Sequence, residues 1–349
     1  MGRNNLLIVH GGNQDERGEE RNINGNDKGY KETMKIVITG GAGFVGSNLA
    51  AELSKEADNE LIILDDLSTG KMRNIAGLNI TFINGSITDL DLLKGIFKGV
   101  DYVFHQAAIP SVPRSIKDPI ASHNANITGT LNVLVAAKEN NVKKVIYASS
   151  SSVYGNTLEL PKREDMTPNP LSPYAVTKLM GEYYCNVFSA VYGLTTVSLR
   201  YFNVYGPGQD PYSDYAAVIP RFITSVLDNK PPVIYGDGAQ TRDFTAVKDV
   251  VRANILAARS DATGVYNIAN GRRISINELA RMIMKITGKN VEPIHDAPRG
   301  GDVRHSLGDI AKAKRDFGYV PGYSLEEGLR RTIAWFERMS TAVVRRIDE

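Results

Sequence analysis

An α/β fold with a doubly wound parallel sheet, followed by a smaller C-terminal lobe, is what this sequence predicts. Three observations carry that expectation. Short β-branched runs alternate with helical stretches from Met34 to about Leu199, the rhythm of a parallel sheet joined by right-handed crossovers. A glycine turn, Gly40-Gly41-Ala42-Gly43-Phe44-Val45-Gly46, links the first run to the first helical stretch. After Arg200 the alternation loosens into loops rich in Tyr, Pro and Gly, which suit a lobe that closes over a ligand. At 349 residues the chain is long enough for both units.

Taken in order, residues 1–33 read as a disordered tail. They are polar, rich in Asn, Gly, Glu and Arg, and offer almost nothing to bury. Leu6-Leu7-Ile8-Val9 is too short for a signal-peptide core. Met34 opens the first structural unit, so residues 1–33 are expected to be dispensable for folding and activity. Lys35-Ile36-Val37-Ile38-Thr39 has the composition of a buried parallel strand. Strands follow at Leu61-Ile62-Ile63-Leu64-Asp65, Ile80-Thr81-Phe82-Ile83, Tyr102-Val103-Phe104, Lys144-Val145-Ile146-Tyr147 and residues 195–199. Helical patterns occupy residues 90–97 and 129–139 between them. The expected division is therefore 34–200 for the sheet domain and 201–345 for the second lobe. Residues 265–268 read as a strand through which the chain returns towards the first domain, within 240–270. Leu325, Leu329, Ile333, Trp335 and Phe336 fall at helical spacing, with Trp335 expected to be a packing anchor.

Composition excludes several classes. Apolar residues make up 42% and the formal charge is +2, an ordinary globular balance with no broad basic field for nucleic acid. No apolar run approaches the roughly 20 residues that cross a bilayer. Cys185 is the only cysteine, so no intrachain disulfide can form and a reducing, cytoplasmic setting is expected. It lies in a helical stretch and reads as a small core residue. His295 and His305 flank Asp296 and Asp302 without metal-ligand spacing, and no metal site is expected. His105, ending a strand, reads as structural.

The chemistry-bearing motifs lie at the ends of these strands. Gly40, Gly43, Phe44, Val45 and Gly46 span a turn that lets the backbone approach a pyrophosphate and aim free N–H groups at it. Asp65 ends the next strand 19 residues after Gly46, placed to accept hydrogen bonds from ribose hydroxyls. Asp66 adds a charge that opposes a 2′-phosphate, favouring NAD over NADP. Ser149-Ser150-Ser151-Ser152-Val153-Tyr154-Gly155 directly follows a strand; Ser149 and Ser151 read as turn residues satisfying their own backbone. Tyr174 and Lys178 stand four apart on one face of a helix. A phenol ordinarily ionises near pH ~10, and a neighbouring ammonium lowers that value, so the pair reads as an acid/base with its partner.

These three motifs together resemble the extended short-chain dehydrogenase/reductases that act on nucleotide sugars, which have an NAD-binding Rossmann fold. The resemblance spans about Met34 to about Phe336. It implies Tyr174 as the base that takes the sugar 4-hydroxyl proton, Lys178 as phenolate stabiliser and nicotinamide-ribose ligand, and Ser150 as hydrogen-bond donor to the C4 oxygen. NAD contacts are implied for Gly40, Gly43, Phe44, Val45, Asp65, Asp66, Ser86, Ile87, Gln106, Ala107, Ala108, Asn126, Tyr174, Lys178 and Tyr201. Ser86 stands where many relatives carry Asp facing the adenine amino group. UDP-sugar contacts are implied for Ser111, Ser150, Ser152, Asn203, Ala217, Val218, Val233, Tyr235, Arg242, Arg299, Asp302 and Ser306. Arg242 and Arg299 would grip the diphosphate. Tyr154 would pack beneath the sugar pocket.

The family's dehydratases and decarboxylases place carboxylates just before the Val-Tyr-Gly segment. Here Ser151 and Ser152 occupy those positions, leaving a single base. The expected outcome is 4-epimerisation: the C4 hydrogen returns to the opposite face after the 4-keto sugar rotates, and tightly held NAD is recycled. The segments 106–115 and 301–306 resemble the UDP-N-acetylhexosamine 4-epimerase branch, and Ser306 stands where epimerases confined to UDP-glucose and UDP-galactose tend to carry tyrosine. UDP-GlcNAc and UDP-GalNAc are the expected substrates, with UDP-Glc and UDP-Gal as further ones. A UDP-glucuronate 4-epimerase, a 4-keto-sugar reductase and an NAD-sensing binding protein are the alternatives. Relatives dimerise through a four-helix bundle, for which residues 126–140 and 174–191 are the candidates.

Overall fold

The computed structural model describes residues 33–211, 216–298 and 303–347. The expected tail up to residue 32, and the candidate ligands Arg299 and Asp302, lie outside the described residues. Seven strands form the central sheet: β1 (Met34–Thr39), β2 (Asn59–Asp65), β3 (Thr81–Asn84), β4 (Tyr102–His105), β5 (Lys144–Ser150), β6 (Thr196–Tyr201) and β7 (Gly264–Ile268). All are parallel, in the order β7-β6-β5-β4-β1-β2-β3. The direction of winding reverses between β1 and β4, which opens a crevice at their carboxyl ends.

Both faces of the sheet are covered, so its strands are apolar almost throughout. Alternate residues of β1 show the two layers. Ile36 and Ile38 pack towards α1 (Phe44–Leu53), α8 (Val247–Arg259) and α10 (Ala311–Phe317). Val37 packs towards α2 (Leu90–Ile96), α5 (Gly129–Glu139) and α6 (Pro173–Tyr192). Two short helices, α3 (Val112–Lys117) and α4 (Pro119–His123), bridge β4 to α5. A second core joins α7 (Val218–Leu227), α9 (Ile276–Thr287) and α11 (Leu325–Ile347) through Phe222, Leu279, Ile283, Leu329, Ile333 and Phe336.

The strand ends differ from the expected runs by one to three residues, most at β5, which takes in Ser149 and Ser150 from the segment expected to form a turn. Larger differences lie after Arg200. Three small ladders there, 204–205 with 245–246, 233–235 with 294–296 and 241–243 with 273–275, have two or three residues per strand. Such short pairings are set by what they pack against and leave no periodic trace. The terminal helix continues well past Phe336, to Ile347. No helix among the described residues is long and apolar enough to cross a membrane.

Candidate active site

The crevice is a cleft of about 560 Å³, running from the β2 side of the sheet to Tyr174 and Lys178. Its floor at one end is the glycine turn. Gly40 has φ +68°, and a Cβ there would lie 2.6 Å from the Ala107 backbone. A Cβ on Gly46 would sit 2.2 Å from the Gly40 carbonyl oxygen. Only glycine lets α1 start against the turn and β4 pass beside it. Asp65, 7% exposed, accepts hydrogen bonds from Ala42 N at 2.9 Å and Leu67 N at 2.8 Å. Its burial raises the carboxyl pKa, and these backbone bonds oppose the rise. Each oxygen keeps a further lone pair for a ribose hydroxyl. Asp66 is exposed and caps Ser68.

Gly43, Phe44, Val45, Ser86, Ile87, Gln106, Ala107, Ala108, Ser111 and Tyr201 also line this cleft. The Gln106 amide and the Tyr201 hydroxyl are tied to each other at 3.2 Å and to Asn254, so they form a braced wall. Asn126 is placed differently. It is 1% exposed, and its amide is spent on the Ile109 backbone, at 2.8 and 3.2 Å, and on Thr177 at 3.0 Å. It does not line the cleft and acts on it through the Ile109 loop and α6.

At the far end, α6 presents Tyr174 and Lys178. Ser172 caps the helix by accepting from Ala175 N at 3.1 Å, with Pro173 in its first turn. The Tyr174 N–H is taken by Ser115 Oγ at 3.0 Å, a contact nothing in the sequence announces. Ser150, the last residue of β5, lies beside Tyr174, close enough for its hydroxyl to act on the phenol's ionisation. Burial pushes the Tyr174 phenol above its ordinary pKa, and the Ser150 hydroxyl beside it offsets part of this. The net direction is upward because burial outweighs the lowering expected of a neighbouring ammonium. The Lys178 ammonium lies 6.0 Å from the Tyr174 ring and donates to the Ala148 carbonyl at 2.7 Å. Burial brings Lys178 itself down to about 8, against the carboxylate of Glu182. Ser152 Oγ is buried without a hydrogen-bond partner. His105 bridges Thr39 and Thr130, and burial lowers its pKa to about 3, a neutral structural role.

A second cavity, of about 280 Å³, adjoins the first and is lined by Asn203, Ala217, Val218, Val233, Tyr235 and Arg242. Six candidate substrate residues distant in sequence thus meet in one place. Arg221, absent from the candidates, also lines it, with its guanidinium 5.2 Å from the Tyr235 ring. Ser306 is buried and its N–H donates to Thr241 O at 3.0 Å, but it lines neither cavity. No group of three or more His, Cys, Asp or Glu among the described residues could hold a metal ion.

The sequence model of the NAD dependent epimerase/dehydratase family matches residues 36–269. The chain belongs to this family. It is thus an extended short-chain dehydrogenase/reductase, and its cofactor is NAD. A putative UDP-glucose 4-epimerase of Methanocaldococcus jannaschii is 41% identical over 304 residues, covering 86% of this chain and 98% of that one. The structure of UDP-N-acetylglucosamine 4-epimerase from Methanobrevibacter ruminantium, in complex with UDP-N-acetylmuramic acid, is 44% identical with a TM-score of 0.85, over 88% of this chain and 99% of that one. UDP-glucuronic acid 4-epimerase from Bacillus cereus, in complex with UDP-glucuronic acid and NAD, is 36% identical with a TM-score of 0.82, over 88% and 100%.

The residues present fit NAD. The turn a Cβ would fill, the open N-terminus of α1 and the Asp65 carboxylate form one continuous cradle in this epimerase/dehydratase. Trp335, expected to be only a packing anchor, also reaches the cleft from α11. An ion pair between Lys71 and Asp210 joins the two sides of the cleft near its β2 end. Both features depend on contacts between segments more than a hundred residues apart, so no local pattern signals them.

Proposed function

We propose that this family member is an NAD-dependent 4-epimerase of UDP-hexoses, working through a transient 4-keto sugar. One observation carries the reading. The carboxylates lining the cleft, Asp65, Asp66 and Asp210, gather on the β2 side, three strands from β5. Around Ser150, Tyr174 and Lys178 the turn after β5 supplies only Ser151 and Ser152. Elimination or decarboxylation chemistry would call for an acid there; epimerisation does not.

In this reading Tyr174 takes the proton from the sugar 4-hydroxyl and later returns it. Ser150 donates a hydrogen bond to the same oxygen. Lys178 is the cation the chain supplies beside a phenol whose burial otherwise keeps it protonated. Bound NAD supplies the reversible oxidation of C4. Arg242 and Asn203 hold the diphosphate, with Arg299 and Asp302 assigned by resemblance. Ala217, Val218, Val233 and Tyr235 enclose the base. The remaining cofactor and substrate candidates line the same cavities, except Asn126, Ser306 and Ser152. The division into a cofactor part, 34–200, and a sugar-nucleotide part, 201–345, belongs to the same proposal. So does a homodimer, supported by an exposed apolar stripe of Val176, Tyr183, Val187 and Val191 along α6.

UDP-GlcNAc and UDP-GalNAc are the proposed substrates, with UDP-Glc and UDP-Gal accepted. The 44% identity to an N-acetylglucosamine epimerase supports this, as does a small residue at Ser306. Ser306→Tyr should depress turnover of the acetylated pair selectively; equal loss on both pairs sinks the gate. Epimerisation should proceed with no NADH accumulating, whereas stoichiometric NADH release would identify a net oxidoreductase.

A further inference from the structure

The helix that carries Tyr174 and Lys178 has a third titratable residue on the same face, one turn further on: Glu182. It is 1% exposed. Its Oε1 accepts from Ser149 Oγ at 2.5 Å and from Arg200 Nε at 2.8 Å, and its Oε2 from Arg200 Nη2 at 2.7 Å. Arg200, 3% exposed, lies on β6 with its guanidinium 4.6 Å from the centre of the Tyr154 ring. Tyr154 donates to Asn267 Oδ1 at 2.7 Å on β7. One buried polar chain therefore runs from α6 across β5 and β6 to β7.

Stability does not account for this pair. Replacing a buried ion pair by apolar side chains of similar volume is often neutral or stabilising. Arg200 Nη1 is moreover left without a partner, which adds to the penalty. Placement accounts for it better. The register sets Ser149 opposite Arg200 and Ser150 opposite Tyr201. From α6, Lys178 holds β5 by the Ala148 carbonyl and Glu182 holds it by the Ser149 side chain, immediately before Ser150, the residue beside the Tyr174 phenol.

We propose that Glu182, held by Arg200, is a positioning residue: it locks the carboxyl end of β5 to α6, so that the Ser150 hydroxyl and the Tyr174 phenol meet the same substrate oxygen. The inference rests on the catalytic reading of Tyr174 and Ser150.

The test compares the purified parent with Glu182→Met/Arg200→Met, Ser149→Ala and Tyr174→Phe, each measured for melting temperature, retained NAD, and kcat and KM on the UDP-hexose the parent turns over. The Met pair should fold, keep NAD and hold KM within about threefold, while kcat falls about 10²-fold, as for reacting groups misplaced by about 1 Å. Ser149→Ala, which removes one hydroxyl, should lower kcat about tenfold at unchanged KM, and decides the matter if the Met pair does not fold. A folded Met pair with parental kcat, or an unchanged Ser149→Ala, overturns the proposal. If Tyr174→Phe is inactive and the Met pair fully active, the positioning role alone fails. If Tyr174→Phe is fully active, the catalytic reading fails and takes this inference with it.

Discussion

At Tyr174 two effects oppose each other, and burial wins: it raises the phenol pKa, with the neighbouring Ser150 hydroxyl pulling back. A residue in that state exchanges a proton only when something in the closed site favours the anion, which assigns the Lys178 ammonium its task. Tyr174→Phe should lower kcat by about 10²–10⁴ while the purified protein still carries NAD; loss of bound NAD as well would move Tyr174 from chemistry to cofactor binding. The glycine turn gives a second test. Gly46→Ala puts a Cβ 2.2 Å from the Gly40 carbonyl oxygen, so α1 must shift and retained NAD should fall sharply, read as the 260/280 nm absorbance ratio of the purified protein. Gly40, Asp65, Ser150, Tyr174 and Lys178 could be singled out from the sequence because each has its proposed chemistry in its own side chain or lack of one. The bonds of Ser115 and Asn126 to the Tyr174 and Ile109 backbones could not be read from the sequence, because they exist only after distant elements pack.

Among the elements, α6 carries most of the function. Its start is fixed by Ser172 and Pro173 and its end by Gly193 in the left-handed region, φ +71°. Ser172→Ala should destabilise the protein by about 1 kcal/mol, seen as a lower midpoint in urea with an unchanged slope; no change would mean that Pro173 and the Ser115 bond fix the helix start by themselves. The outer face of α6 exposes Val187 at 49% and Val191 at 67%. Val187→Glu should convert the proposed dimer to monomer in light scattering, and a parent that is itself monomeric contradicts the bundle. Strands β1 to β6 were readable as apolar runs because both their faces are covered. The two- and three-residue ladders of the second lobe, and the π-helical turn Asn124–Thr128 before α5, were not, since neither has a repeat long enough to show a period.

For the whole molecule, the near-neutral charge hides a few buried cations that set its pH response. Burial lowers both Lys178 and Lys144 to about 8, from an ordinary 10.5. Between about 8 and about 10 the unfolded chain therefore binds more protons than the folded one, and these two groups make folding more favourable as pH rises. The proposed epimerisation, in which Lys178 acts in its charged form, should instead fall through about 8. Activity lost at about pH 9 should thus return on going back to neutrality, with the melting temperature no lower; inactivation that tracks unfolding would contradict the assignment. The loosening of the strand–helix rhythm near Arg200 was visible in the sequence, whereas the meeting of Asn203, Val218, Tyr235 and Arg242 in one cavity is a product of the fold. The most direct test offers the purified protein UDP-GlcNAc, UDP-Glc and UDP-GlcA separately and resolves the products by NMR. A 4-epimerase of UDP-hexoses gives UDP-GalNAc, and UDP-Gal alongside it, without added NAD. Conversion of UDP-GlcA alone, or an oxidised, dehydrated or decarboxylated product, would contradict it.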